Sequence, residues 1–434
     1  MSRKVFISFL GTSNYHNCNY VSPDKQPVKD IKYVQEATII QHCLDYDRFF
    51  IFTTSEAFEK NWQNNGHKDR QDNILPNEGL QTRLAILQLK SPAEAVEIDE
   101  GFSQKEIWAI FQKVFDKIEK DDEIIFDITH AFRFLPMLGM VLINYLKTLK
   151  NVKINGIYYG AFEALGPAWK VEKIPIEERN VNILDLSSFS LLQDWTSAAN
   201  ALVAYGDVKK ITNLANEGIK PILKDTKGKD EAARAMRNFI TPLNAIFDNI
   251  ATCRGKELFE SKGYDDINTS LKELKKDLIP PMAPLIDKLE EALQTFNSAD
   301  TIINGFRIVR LCIDYNWIQQ GYTILFETSL SYILSQNNLD YQKLLNREIA
   351  SACLTIHNRN IPKHQWKGFA AENPEITEKI LHSVVLRQIA DDMAALQDMR
   401  NDINHSGFRT NPSDYNGLKK FLTKTYCSIV SKIL

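Results

Sequence analysis

The stretch Arg400-Asn401-Asp402-Ile403-Asn404-His405-Ser406-Gly407 closes an apolar-periodic segment over 384–399 and sets a guanidinium and an imidazole five residues apart. That pair has the chemistry to cut RNA without a metal ion. An imidazole with an ordinary pKa of ~6.5 moves protons to and from a 2′-hydroxyl or a 5′-leaving oxygen, and a guanidinium offsets charge growing on the phosphate. Five residues on a helix amount to roughly 140° of rotation, so one copy does not converge on one phosphate. Two copies paired across a dimer do. With 16 arginines and 8 histidines in 434 residues, roughly 0.3 matches at this spacing arise by chance, so the spacing alone is weak. Arg359 and His364 repeat it, but Pro362 interrupts any helix carrying both. Arg400 and His405, with the polar Asn401 beside them, are the preferred catalytic candidates.

A second constellation lies in Glu123-Ile-Ile-Phe-Asp-Ile-Thr-His-Ala-Phe-Arg-Phe-Leu-Pro136. The apolar run 124–126 reads as a strand buried on both faces, and 134–149 as a helix packed on it. Asp127, Thr129, His130 and Arg133 then occupy a loop at the carboxyl end of a strand, where open parallel sheets bind ligands and helix N-termini favour anions. Asp127 can instead be a buried acceptor of loop amides, and Thr129 a helix cap. A basic Arg133 and an ionisable His130 at a helix start cost a few tenths to ~1 kcal/mol unless an anion compensates. After the first strand, Gly11-Thr12-Ser13-Asn14 offers amides and hydroxyls to a phosphate, but it is neither a dinucleotide fingerprint nor a P-loop. His16 with Cys18, and His42 with Cys43, lack a matching second pair, so no metal site is expected.

The elements that hold these residues fall into two halves. Candidate strands at 4–10, 48–54, 93–98, 123–129 and 152–160 alternate with helical stretches such as 104–118, the signature of a Rossmann-like, mainly parallel α/β sheet. Beyond 186 the pattern turns helical, at 191–205, 230–253, 284–296, 304–334 and 378–400, with a junction near 185–191. The division is therefore 1–187 and 188–434. Trp195, Phe239 and Trp317 read as core, and Asp391 and Asp392 as a solvated helix face. The chain is 44% hydrophobic and 25% charged, enough for substantial cores, and its net charge of −3 argues against nucleic acid held over the whole surface. Any polyanion must meet a local pocket. No apolar run is long enough to span a bilayer, the first residues lack a signal-peptide cleavage pattern, and six cysteines are scattered without a pair motif. A cytoplasmic protein with free thiols is expected.

Taken in order, Gly11-Thr-Ser-Asn-Tyr15, Asp127-Ile-Thr-His130 with Arg133, Tyr158-Tyr-Gly-Ala161, Trp195 and Arg400-Asn-x-x-x-His405-Ser-Gly resemble the CRISPR-associated CARF-HEPN ribonucleases of type III systems. The resemblance implies a Rossmann-like CARF sensor that binds a cyclic oligoadenylate, tetra-adenylate by preference, across the two-fold axis of a homodimer or higher even oligomer. It also implies a helical HEPN domain that cleaves single-stranded RNA without a cofactor, in antiviral defence. Arg400, Asn401 and His405 match the catalytic motif. Gly11, Thr12, Ser13, Asn14, Asp127, Thr129, His130 and Arg133 match the activator contacts, with Gly160 and Ala161 behind them. Asp402 departs from the pattern, as an acid beside the pair that would repel RNA. A ring nuclease that degrades its activator in the sensor, and a ligand-responsive CARF transcription regulator, are the alternatives.

Overall fold

The computed structural model describes residues 2–130, 135–275, 283–293 and 301–434. The chain divides into two compact units, Met1–Gln193 and Asp194–Leu434, and the division falls inside the helix Ser187–Tyr205.

Among the described residues the first unit has ten strands: β1 (Lys4–Leu10), β2 (Cys18–Val21), β3 (Val28–Ile31), β4 (Arg48–Thr53), β5 (His67–Lys68), β6 (Ile74–Leu75), β7 (Glu94–Glu97), β8 (Glu123–Asp127), β9 (Lys153–Gly160) and β10 (Asn180–Asp185). Eight of them form one sheet in the order β3-β2-β10-β9-β8-β1-β4-β7, and β5 and β6 make a small separate hairpin. The pairs from β9 through β8, β1 and β4 to β7 are all parallel, whereas β10 runs antiparallel to β9 and β3 to β2. Period-two alternation explains why β1 is apolar almost throughout. Val5, Ile7 and Phe9 join Phe50, Phe52, Ile124 and Phe126 in one layer, under the helices Gln104–Lys117 and Leu135–Lys150. Phe6 and Leu10 join Phe49, Ile51 and Ile125 in the opposite layer, with Val34 and Ala37 of the helix Val34–His42. The sheet is thus covered on both faces.

The expected helix at 104–118 is confirmed with its own local chemistry. Ser103 caps the helix Gln104–Lys117 by accepting from the Glu106 amide at 3.2 Å, and the Glu106 carboxylate reaches back to the Phe102 amide at 2.9 Å. The sheet order reverses at β1, because the chain builds outward through β4 and β7 and then crosses to β8 on the other side. The carboxyl ends of β1, β8 and β9 therefore share the edge at the switch point, the usual ligand crevice of such sheets. Strands β2, β3 and β10 were not foreseen; they are short, or hidden among polar residues.

In the described residues, the second unit is helical. Phe239 and the flanking Trp195 and Trp317 belong to its core, as expected. The stretch 304–334 is two helices, Thr301–Asp314 and Ile318–Gln336, because Asn316 takes a left-handed φ of 61° and turns the chain between them. The stretch 378–400 is likewise split into Pro374–Leu381 and Val384–Asn404. Asp392 is not merely solvated: it accepts from Ser428 Oγ at 2.9 Å and Lys432 Nζ at 2.7 Å, tying Val384–Asn404 to the helix Tyr415–Ile433. All six cysteines are unpaired, and no helix among the described residues is long and apolar enough to cross a membrane.

Candidate functional site

At the switch-point edge, strand register builds the site from the inside. Ser8 of β1 lies opposite Asp127 of β8, and Asp127 lies opposite Tyr158 of β9. Asp127 is fully buried, and three donors converge on it: Ser8 Oγ at 2.8 Å, the Thr129 amide at 3.1 Å and Thr129 Oγ at 2.6 Å. Burial raises its pKa despite these hydrogen bonds. Asp127 thus braces the loop rather than meeting a ligand. The Thr129 hydroxyl also accepts from the Gly160 amide at 2.8 Å, so the chain Ser8–Asp127–Thr129–Gly160 crosses three strands. Gly160 allows this approach, since a Cβ there would stand 2.6 Å from Val34 Cγ2. The Ala161 amide is also occupied, by Asn182 O at 2.9 Å.

The loop after β1 is held from below. The Gly11 amide donates to the Tyr15 hydroxyl at 2.9 Å, so it is not offered to a phosphate, and a Cβ on Gly11 would lie 2.6 Å from that oxygen. Asn61 Nδ2, in a π-helical turn, donates to the Gly11 and Ser13 carbonyls at 2.8 and 2.9 Å, and Asn61 Oδ1 meets His67 Nε2 at 3.0 Å. Thr12 is half-buried, while Ser13 and Asn14 are exposed. These three carry the open surface of the loop. The His130 ring stacks on Tyr15 with centroids 4.2 Å apart, and burial lowers its pKa to about 4. His130 is therefore neutral near pH 7 and brings no positive charge. Arg133 lies outside the described residues. A cation that the sequence did not single out, Lys32, reaches the loop instead, donating to Asn14 Oδ1 at 3.2 Å and Asn77 Oδ1 at 2.7 Å.

In the second unit, Leu386 and Met393 are buried at a seven-residue spacing that Arg400 continues, so the Arg400 stem turns toward the core. Its guanidinium stands 5.2 Å from the Phe326 ring centroid and 3.4 Å from a Glu327 carboxylate oxygen, its side chain is 26% exposed, and its Nε is buried without a partner among the described residues. The other Glu327 oxygen is held at 2.5 Å by Arg347, which also donates to Ser331 Oγ and Tyr341 O. Asn401 is exposed. His405 ends the helix as its C-cap and is exposed. Ser406 and Gly407 follow at φ 55° and 73°, and the Gly407 amide returns to Asp402 O at 3.0 Å. Asp402 does not face solvent beside the pair. It is 3% exposed and accepts from the Ser413 amide at 2.9 Å, folding back the loop that follows. Arg359 and His364 are both exposed, the helix Leu344–Asn358 having ended before Pro362. Among the described residues no three His, Cys, Asp or Glu side chains are grouped as around an ion.

Ser8 and Glu327 were missed although each carried a signal: Ser8 is the polar residue inside an apolar strand, and Glu327 is the single charge in the helix Ile318–Gln336. Lys32, Asn61 and Asn77 carried none.

The parallel sheet, its switch-point crevice and the braced β1 and β8 loops define an α/β domain of Rossmann-like layout. Residues 5–163 match the family model of the CARF domain of the CRISPR system endoribonuclease Csx1. Over these residues the first part of the chain is similar to a Csx1-type CARF domain. Among curated proteins, the CRISPR-associated protein MJ1674 of Methanocaldococcus jannaschii is 29% identical over 128 residues, which cover 29% of this chain and 19% of that protein. The matched stretch thus spans about a fifth of that relative.

Proposed function

We propose that the chain is a cyclic-oligoadenylate-activated, metal-independent endoribonuclease that cleaves single-stranded RNA in type III CRISPR defence, with a HEPN nuclease in its second unit. The sensing half of this reading rests on the CARF match over residues 5–163 and on the open Thr12, Ser13 and Asn14 at the crevice. The observation that carries the nuclease half is the contrast between Arg400, oriented by Phe326 and Glu327, and His405, free in solvent at the end of the same helix. Arg400 would stabilise charge on the scissile phosphate, and His405 would exchange a proton with the 2′-hydroxyl or the leaving oxygen, giving a 2′,3′-cyclic phosphate. Lys419, Lys420 and Lys424 line an open groove on the helix Tyr415–Ile433, which starts ten residues after His405, and they suit an RNA backbone. A two-fold ring and a homodimer share a symmetry axis, so identical β1 loops would surround one activator. Ligand contacts that differ between two arrangements of the dimer would then switch the nuclease.

The test is labelled single-stranded RNA in EDTA with cyclic tetra-adenylate, cyclic hexa-adenylate or neither, for the native chain and His405→Ala. Cleavage that needs an activator, survives EDTA and is lost in His405→Ala is expected. Equal RNA turnover in the variant, or no response to either ring, refutes the reading.

A further inference from the structure

Lys32 has three N–H donors, and among the described residues its ammonium meets two amide oxygens, those of Asn14 and Asn77, and stands 5.9 Å from the Tyr33 ring centroid. Among the described residues no carboxylate pairs with it, and the nearby Asp30 is taken by Asn17 Nδ2 at 2.8 Å. The ammonium is half-buried, and burial lowers its pKa. An ammonium withdrawn from water without a counter-charge is costly unless an anion arrives. The two amides differ in how firmly they are held. The Asn77 amide donates to Asn65 Oδ1 at 2.9 Å, its carbonyl accepts from the Asn65 amide at 2.8 Å, and its Nδ2 reaches the Tyr33 hydroxyl at 3.4 Å. Asn14 sits on the exposed part of the β1 loop and can give way. At the open stretch Thr12 to Asn14 no other positive charge is described: Arg179 reaches the far end of the loop, donating to Asn17 O at 3.3 Å, His130 is neutral, and the Gly11 amide is spent on Tyr15.

We infer that Lys32, held in place by Asn77, is the phosphate-binding cation of the β1 loop and exchanges Asn14 Oδ1 for a phosphodiester oxygen of the cyclic oligonucleotide. This rests on the sensing half of the proposed function and names the residue that reads the ligand's charge. Asn14, once released, can turn its amide nitrogen toward the same ligand.

The experiment is calorimetric titration of the full chain with cyclic tetra-adenylate and cyclic hexa-adenylate, in parallel for Lys32→Gln, Lys32→Arg and Asn77→Asp. Lys32→Gln removes the charge. Asn77→Asp leaves Lys32 in place but hands it a carboxylate, which guards against a folding defect in the first variant. Both should weaken binding about 10- to 100-fold, as expected for loss of a charge-assisted hydrogen bond, while Lys32→Arg stays within a few-fold of native. Native affinity in Lys32→Gln and Asn77→Asp overturns the role of Lys32 and leaves the sensor reading intact. If the native chain binds neither ring, the sensor reading itself falls.

Discussion

Lowering the pH should drain stability through His130, and the size of the effect follows from its burial against Tyr15. The imidazole drops from 6.5 to about 4 because its charged form is desolvated. A shift of two and a half units at ~1.4 kcal/mol each is about 3 kcal/mol between the two protonation states. The unfolded chain binds the extra proton between pH 6.5 and about 4, so the stability contribution is whole above that window and drains as pH falls through it. At pH 5 the loss from this one side chain comes to about 2 kcal/mol, less whatever solvent screening removes. The assay is a titration of imidazole resonances in labelled protein, with the His130→Asn variant identifying one signal among the eight histidines. That signal should keep its neutral-form shift down to about pH 5. In parallel, urea unfolding of His130→Phe should lose less stability between pH 7.5 and pH 5 than the native chain does. A midpoint above about 6, or identical pH dependence in the variant, refutes the reasoning and returns His130 to the list of cations at the crevice.

Two substitutions test the braces behind the sites. Asp127→Ala strands the Ser8 hydroxyl and both Thr129 donors in the interior, at a cost of about 2–4 kcal/mol, so hydrogen exchange at the Gly160 amide should quicken by ~30-fold or more; native protection would mean the Ser8–Asp127–Thr129–Gly160 chain does not hold the loop. Glu327→Gln removes a carboxylate 3.4 Å from a partly exposed Arg400, a contact of about 1 kcal/mol, and should slow RNA cleavage roughly five-fold with activator affinity unchanged. Unaltered or faster turnover would show that Glu327 does not orient Arg400.

Alternation and helical period made the broad plan legible before any coordinates. The apolar β1, β4 and β8 and the helix at 104–118 are local patterns, and local patterns survive into the fold. Turns defeated the same method where one residue reversed the chain, as Asn316 does between two helices whose apolar periods run on without interruption. Short strands such as β2 and β3 escaped because four residues do not establish a period, and β10 because its polar residues mask it.

The order of residues alone determined that a parallel α/β half precedes a helical half, that polar loops follow β1 and β8, and that an arginine and a histidine close a long amphipathic helix. Only the tertiary structure decided which of those side chains are free. Asp127 ends β8 and Asp402 lies in the last turn of a helix, yet Asp127 is spent on the Ser8 and Thr129 donors and Asp402 on the Ser413 amide, while Lys32 and Glu327 come to the sites from distant segments. The reason is physical: a hydrogen bond consumes a polar atom for any other purpose, and whether it forms depends on groups brought together across strands and helices rather than along the chain.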